Sequence, residues 1–254
     1  MSKLNRDGVQ IYYEVHGEGP TILLSHGYSS TSGMWKGQVE ALSATHKLVI
    51  WDMRGHGDSD YPDDQAAYSE EATVADMAAL LDAVGAEKAI IGGLSLGGYM
   101  SLAFNRTHPE RVEALLIIDT GPGYRNDEAR DGWNKNAISR AERLEREGLP
   151  NLANASAEVR QVRHRSADGL AKAARGMLTQ RDAGVMNSLA TVAVPSLIVV
   201  GADDTPFLAA TDYMAAKIPG AKKVVIPDAG HASNIDQPAA FNRAVGDFLD
   251  ALGR

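Results

Sequence analysis

The stretch Gly93-Leu94-Ser95-Leu96-Gly97 decides how this chain folds: a serine with a glycine two residues to either side, followed directly by Gly98. Ahead of it runs the apolar Ala89-Ile90-Ile91; behind it Tyr99-Met100-Ser101-Leu102-Ala103-Phe104 has helical character and stops before Pro109. The pattern predicts a strand, a sharp turn and a helix. Small residues must bracket a turn that tight, because side chains there would collide with neighbouring backbone. Ser95 then stands at the tip of the turn and at a helix N-terminus, where free N–H groups and the helix dipole favour negative charge. This is a place for a nucleophile, although a glycine-rich turn closing a buried strand reads the same way when taken alone.

The surrounding chain repeats the strand-then-helix theme. Val9 to Val15 alternates as a half-exposed strand, and Gly17-Glu18-Gly19-Pro20 turns the chain into the apolar strand Thr21-Ile22-Leu23-Leu24. Lys47 to Trp51, Lys88 to Gly92, Val112 to Asp119, Val194 to Val200 and Lys222 to Ile226 read as further strands. Helices are predicted from about Trp35 to Ser43, Ser69 to Val84, Phe207 to Ile218 and Gln237 to Leu252; Ser69 suits an N-cap and Gly85 a stop. Strands alternating with helices make an α/β chain with a doubly wound, mainly parallel sheet. From Gly121 to about Thr191 the pattern lapses into polar helical stretches, notably Arg130 to Glu147 and Ser166 to Met177. An insertion of that length predicts a helical cap (121–191) over a core formed by 1–120 and 192–254. Trp133, Met177, Leu178 and Met186 are its candidate substrate-lining residues.

In such a sheet the working groups sit on loops at the carboxyl ends of the strands. Ser95, Asp204 and His231 all fall on such loops, in the order serine, acid, histidine. Asp203 competes with Asp204 for the acid's place, and Asp228 reads as a residue serving its own loop. The loop Ser25-His26-Gly27-Tyr28-Ser29-Ser30 follows a buried strand and can bring a backbone N–H towards the serine. His26, Asp52, Arg54 and His56 are read as structural groups that fix turns at the sheet edge.

His26-Gly27, Asp52-x-Arg54-Gly55-x-Gly57-x-Ser59, Gly93-x-Ser95-x-Gly97, Gly201-x-x-Asp204 and Gly230-His231 together make the chain resemble the α/β-hydrolase superfamily, over nearly its whole length apart from the cap. The resemblance implies an α/β-hydrolase fold with the cap inserted before the acid-bearing strand. It also implies a serine nucleophile at Ser95, a histidine base at His231, an orienting acid at Asp204, and oxyanion donors at the N–H groups of Tyr28 and Leu96. Tyr28 is expected to touch substrate as well. Serine rather than aspartate at the nucleophile position argues against the haloalkane dehalogenase and epoxide hydrolase branches. Gly92-Gly93-Leu94-Ser95-Leu96-Gly97-Gly98 looks like the turn of carboxylesterases and 3-oxoadipate enol-lactonases. Leu94, where carbon–carbon bond hydrolases often place asparagine, weakens that assignment. The expected activity is hydrolysis of a small or medium, largely apolar carboxylic ester through an acyl-enzyme, with a lactone as the nearest alternative substrate. A hydrolase-like receptor for a small molecule is the reading from a different class.

Composition narrows the partners. The 254 residues, 44% of them hydrophobic, suffice for a sizeable core, and a net charge of −8 argues against nucleic acid. Basic residues gather between Arg125 and Arg181, but Glu128, Glu142, Glu145 and Glu147 are interspersed as on a solvated helix face. There is no cysteine, so disulfides and thiolate metal sites are excluded, and the implied chemistry requires no metal or organic cofactor. The opening residues lack an apolar signal region and no run is long enough to span a membrane, so a cytoplasmic protein is expected. Asn105-Arg-Thr107 and Asn154-Ala-Ser156 match the glycosylation pattern by chance on this reading.

Overall fold

The structure, a computed structural model, describes residues 2–149, 157–160 and 162–253. Eight strands form one sheet: β1 (Ser2–Arg6), β2 (Val9–His16), β3 (Thr21–Ser25), β4 (Lys47–Trp51), β5 (Ala89–Leu94), β6 (Val112–Ile118), β7 (Ser196–Gly201) and β8 (Lys222–Ile226). Their order is β1-β2-β4-β3-β5-β6-β7-β8. The β1–β2 and β2–β4 pairs are antiparallel and the remaining pairs parallel, so the sheet is mainly parallel as expected. Strands β3, β5 and β7 are buried at every position, which is why they read as unbroken apolar runs.

The helices are α1 (Lys36–Ser43), α2 (Glu70–Ala83), α3 (Leu96–Thr107), α4 (Asp127–Glu147), α5 (Ala157–Arg160), α6 (Ala167–Ala173), α7 (Gly184–Ser188), α8 (Thr205–Lys217), α9 (Ser233–Asp236) and α10 (Pro238–Ala251). One apolar cluster packs α2 and α3 against one face of the sheet, through Met77, Leu81, Met100 and Phe104. On the other face Trp35, Leu42, Phe241 and Phe248 hold α1 and α10. Ser69 caps α2 by accepting the Ala72 N–H at 3.0 Å, a contact that stabilises a helix by about 1 kcal/mol.

Two expectations need correction. Strand β1 was not anticipated, because Ser-Lys-Leu-Asn-Arg is mostly exposed and carries one apolar residue; it exists as the antiparallel partner of β2. The second concerns the helix expected through Met177: α6 ends at Ala173 and continues as a π turn over Ala174–Leu178. No strand interrupts the insertion between β6 and β7 among the described residues. The insertion does not carry a fully separate core: Ala137, Ala173, Met177, Val185 and Leu189 belong to the main cluster, and only a small satellite forms around Ala141, Leu144 and Leu170.

Several basic residues of this region are paired, Arg130 with Asp127, Arg143 with Glu147, Arg175 with Glu145 and Arg181 with Glu71. Asn105 is buried on α3, which removes it as a glycosylation acceptor, and Asn154-Ala-Ser156 lies outside the described residues. No helix among the described residues is long and apolar enough to cross a membrane.

Candidate active site

Ser95 links β5 to α3 with φ 55° and ψ −116°, a left-handed conformation that side chains rarely adopt. The turn is held from all sides. The Ser95 N–H donates to the Ile118 carbonyl at 2.9 Å, and its own carbonyl accepts the Tyr99 N–H at 3.0 Å and the Thr120 hydroxyl at 2.7 Å. The glycines have no room for anything larger. A Cβ on Gly97 would stand 2.2 Å from the Ser25 carbonyl oxygen, and one on Gly93 would stand 2.5 Å from the Gly97 carbonyl carbon. Gly97→Ala is therefore expected to destabilise the fold by roughly 3 kcal/mol, read as a lower urea midpoint; an unchanged midpoint would mean that the turn relaxes more freely than its packing implies.

Leu96 is the first residue of α3, so its N–H is one of the helix's unpaired donors and stands beside the serine. In the loop after β3, the Ser29 N–H is spent on His56 Nε2 at 3.2 Å and the Ser30 N–H on the Gly27 carbonyl at 3.1 Å, a turn that leaves out the Tyr28 N–H. His26 and His56 build this loop. His26 Nε2 accepts the Met53 N–H at 2.9 Å, so Nδ1 carries the proton and donates to the Gly27 carbonyl. Burial pushes the His26 imidazole down to about 3 and His56 well below its ordinary range, so both rings stay neutral. Asp52 accepts the N–H groups of Ser32 and Asp58, and Arg54 makes a bidentate buried pair with Asp76 at 2.6 and 2.8 Å. Each of these four groups serves the loops.

At the far side of the sheet edge, His231 Nδ1 lies 2.8 Å from Asp204 Oδ2. Asp204 occupies the N-cap of α8 but makes no capping bond with its side chain, which leaves the carboxylate for the imidazole. Asp203 is exposed, with its N–H on the Ala229 carbonyl, and Asp228 is exposed in the histidine loop. Burial works to lower the His231 pKa, but the Asp204 hydrogen bond and charge, with the charges of Asp119 and Glu158, outweigh it and hold it above the ordinary 6.5. Asp119 was read only as the end of a strand. It is fully buried at the end of β6, where it accepts the Gly201 N–H at 2.8 Å and the Ser233 N–H and hydroxyl at 3.1 and 2.6 Å. One side chain thus ties the turn bearing the acid to the loop bearing the histidine. Burial raises the Asp119 carboxyl to about 7 in spite of these donors.

A cavity of about 260 Å³ opens beside Ser95 and Leu96. Trp133, Met177 and Leu178 wall it from the insertion, and Gln180 and Tyr124 join them. Pro206 and Phe207 close it from α8, and the Phe207 ring stacks on His231 with centroids 5.0 Å apart. Two expected lining residues are elsewhere. Met186 packs against the main core, and the Tyr28 side chain turns to the insertion, donating its hydroxyl to the Leu170 carbonyl at 2.9 Å. Phe207 was legible only as a helix residue; its place three positions after Asp204, on the first turn of the next helix, is the signal that locates it. Gln180 carried no signal.

The model of the alpha/beta hydrolase family matches residues 22–244, and the chain belongs to that family. A putative 2-succinyl-6-hydroxy-2,4-cyclohexadiene-1-carboxylate synthase of Bacillus subtilis is 28% identical, over 97% of this chain and 97% of that one. The 3-oxoadipate enol-lactonase 1 of Acinetobacter baylyi is 29% identical over 98% and 96%. Among solved structures, a thermophilic esterase from Thermogutta terrifontis superposes with a TM-score of 0.85 at 30% identity, covering 99% of this chain and 98% of its own.

Proposed function

We propose that this protein is a serine hydrolase that cleaves carboxylic esters through an acyl-enzyme formed on Ser95. The observation that carries this reading is the strained Ser95 turn at an apolar cavity whose wall, Phe207, stacks on a histidine already bonded to Asp204. In the proposed reaction His231 takes the hydroxyl proton as the serine oxygen attacks the acyl carbon. Asp204 orients the ring through Nδ1 and stabilises the imidazolium. The Leu96 and Tyr28 N–H groups receive the charge that develops on the carbonyl oxygen, each such donor contributing about 3 kcal/mol of transition-state stabilisation. His231 then returns the proton to the leaving alcohol, and water releases the acid by the same steps in reverse.

The segment 121–191 acts as the cap in this reading, with Trp133, Met177 and Leu178 shielding the acyl chain from water. The apolar lining suits a small or medium acyl group. A lactone is the second reading, because ring opening uses the same acyl-enzyme and a relative matched over nearly the whole chain is an enol-lactonase.

The test is hydrolysis of p-nitrophenyl butyrate combined with labelling by a fluorophosphonate. Turnover that is lost as a single phosphonyl group appears on the peptide containing Ser95 is the expected result. Turnover that persists after stoichiometric labelling, or a label on another serine, would remove Ser95 from the reaction.

A further inference from the structure

Three successive residues of the loop after β3 are each bonded to the insertion. The Tyr28 hydroxyl donates to the Leu170 carbonyl on α6 at 2.9 Å, and the Ser30 hydroxyl donates to the Glu158 carbonyl on α5 at 3.0 Å. Between them, the Ser29 carbonyl accepts a hydrogen bond from His164 Nε2 at 2.9 Å. The core holds the other end of Ser29, whose N–H goes to His56 Nε2 at 3.2 Å. Ser29 has φ 60°, a left-handed conformation that a serine keeps only where its surroundings hold it. The same loop presses on the nucleophile turn, since a Cβ on Gly27 would lie 3.5 Å from Ser95 Cβ.

His164, in the insertion between α5 and α6, is itself fixed in place. Its Nδ1 accepts the Gly57 N–H at 3.3 Å, which puts the ring proton on Nε2 and makes that nitrogen a donor towards Ser29. Burial holds its pKa below the ordinary 6.5, against the pull of the Ser29 carbonyl, so the ring stays neutral and keeps this tautomer. The ring meets His56 edge to face, with centroids 5.7 Å apart. Next in the chain, Arg165 donates to the Ser59 carbonyl and lies 4.8 Å from the centre of the Tyr61 ring, which fastens the segment bearing His164. His164 is not part of the cavity wall, so its reach towards Ser95 runs through Ser29.

We propose that His164 is a positioning residue for the oxyanion donor. With the Ser30 bond beside it, it fixes the Ser29 turn from the insertion and thereby keeps the Tyr28 N–H aimed at the carbonyl oxygen that Ser95 polarises on attack. This rests on the acyl-transfer reading of the same site. A donor aimed at developing charge acts in the transition state, so loosening the turn lowers kcat and leaves KM in place. The insertion then contributes to the rate of the chemical step as well as to the wall of the cavity.

The test measures p-nitrophenyl butyrate hydrolysis beside inhibition by 1,1,1-trifluoro-2-hexanone, a ketone whose hemiketal with a serine carries an oxyanion. In His164→Leu, kcat is expected to fall about ten- to a hundredfold while KM stays within about threefold, and the ketone's Ki should rise by the factor that kcat loses. His164→Gln, whose side-chain amide can still donate to Ser29, should recover most of both. Ser30→Ala, a smaller change that removes only the bond to Glu158, should lower kcat about threefold at constant KM. Unchanged kcat and Ki in folded His164→Leu, or in Ser30→Ala where leucine prevents folding, would overturn the inference. So would a loss expressed in KM alone, or a loss that the glutamine variant shares in full. Variants that match a wild type active on the ester and inhibited by the ketone defeat this inference only. A wild type that neither hydrolyses the ester nor binds the ketone defeats the acyl-transfer reading, and this inference with it.

Discussion

Ser95→Ala is expected to lower kcat/KM for p-nitrophenyl butyrate by at least about 10⁴-fold, leaving at most the residual rate contributed by the N–H donors and the cavity. The fold should be indifferent to the change. The Ser95 side chain makes no capping bond on α3, and alanine meets the same backbone angles as serine. Ser95→Gly separates structure from chemistry more sharply. Glycine accepts φ 55° without strain, so this variant is expected to be equally inactive yet about 1 kcal/mol more stable than the wild type. Thermal melts beside initial rates check both. Alanine and wild-type proteins of equal activity would end the case for a serine nucleophile, and a less stable glycine variant would show that the turn stores no strain.

The second large effect separates two neighbouring carboxylates. Asp204→Asn should reduce kcat/KM by about 10⁴-fold, whereas Asp203→Asn should change it by less than about threefold. The reason is local: Asp204 is buried against His231, and Asp203 is exposed. A pH profile adds an independent reading. In the proposed reaction His231 works as a base only when neutral, so activity is expected above its pKa and should be lost as the pH falls through it. Since Asp204 is among the groups holding that pKa above 6.5, the acid limb of the wild-type profile should lie above 6.5. In Asp204→Asn the weak remaining activity should show the limb displaced to lower pH. A limb that does not move would mean that the Asp204 charge is not what sets the protonation of the histidine.

What could be read in advance was whatever a short stretch specifies by itself. The serine turn is written in glycine spacing because Gly93 and Gly97 press on fixed backbone, and β3, β5 and β7 are legible because complete burial leaves only apolar residues. Strand β1 was missed because its stability is borrowed from β2. The role of Asp119 was hidden for a related reason: its partners, Gly201 and Ser233, are 82 and 114 residues away in sequence. The lining of the cavity was the least legible part. Trp133 and Met177 were found because large apolar residues stand out in a polar insertion, but Met186 has the same chemistry and packs into the core instead. Gln180 is an ordinary polar loop residue until the apolar walls assemble around it.

The shared core beneath the insertion bears on how this enzyme's specificity could be rebuilt. Ala137, Ala173, Met177, Val185 and Leu189 interlock with the layer that also carries Met100 and Phe104. A chimera that transplants residues 121–191 from a relative would therefore cut through packed side chains rather than along a seam, and each mismatched methylene would be felt in the scaffold. Retuning this protein calls for single exchanges along the cavity wall, made inside its own insertion, rather than the wholesale trade of one insertion for another.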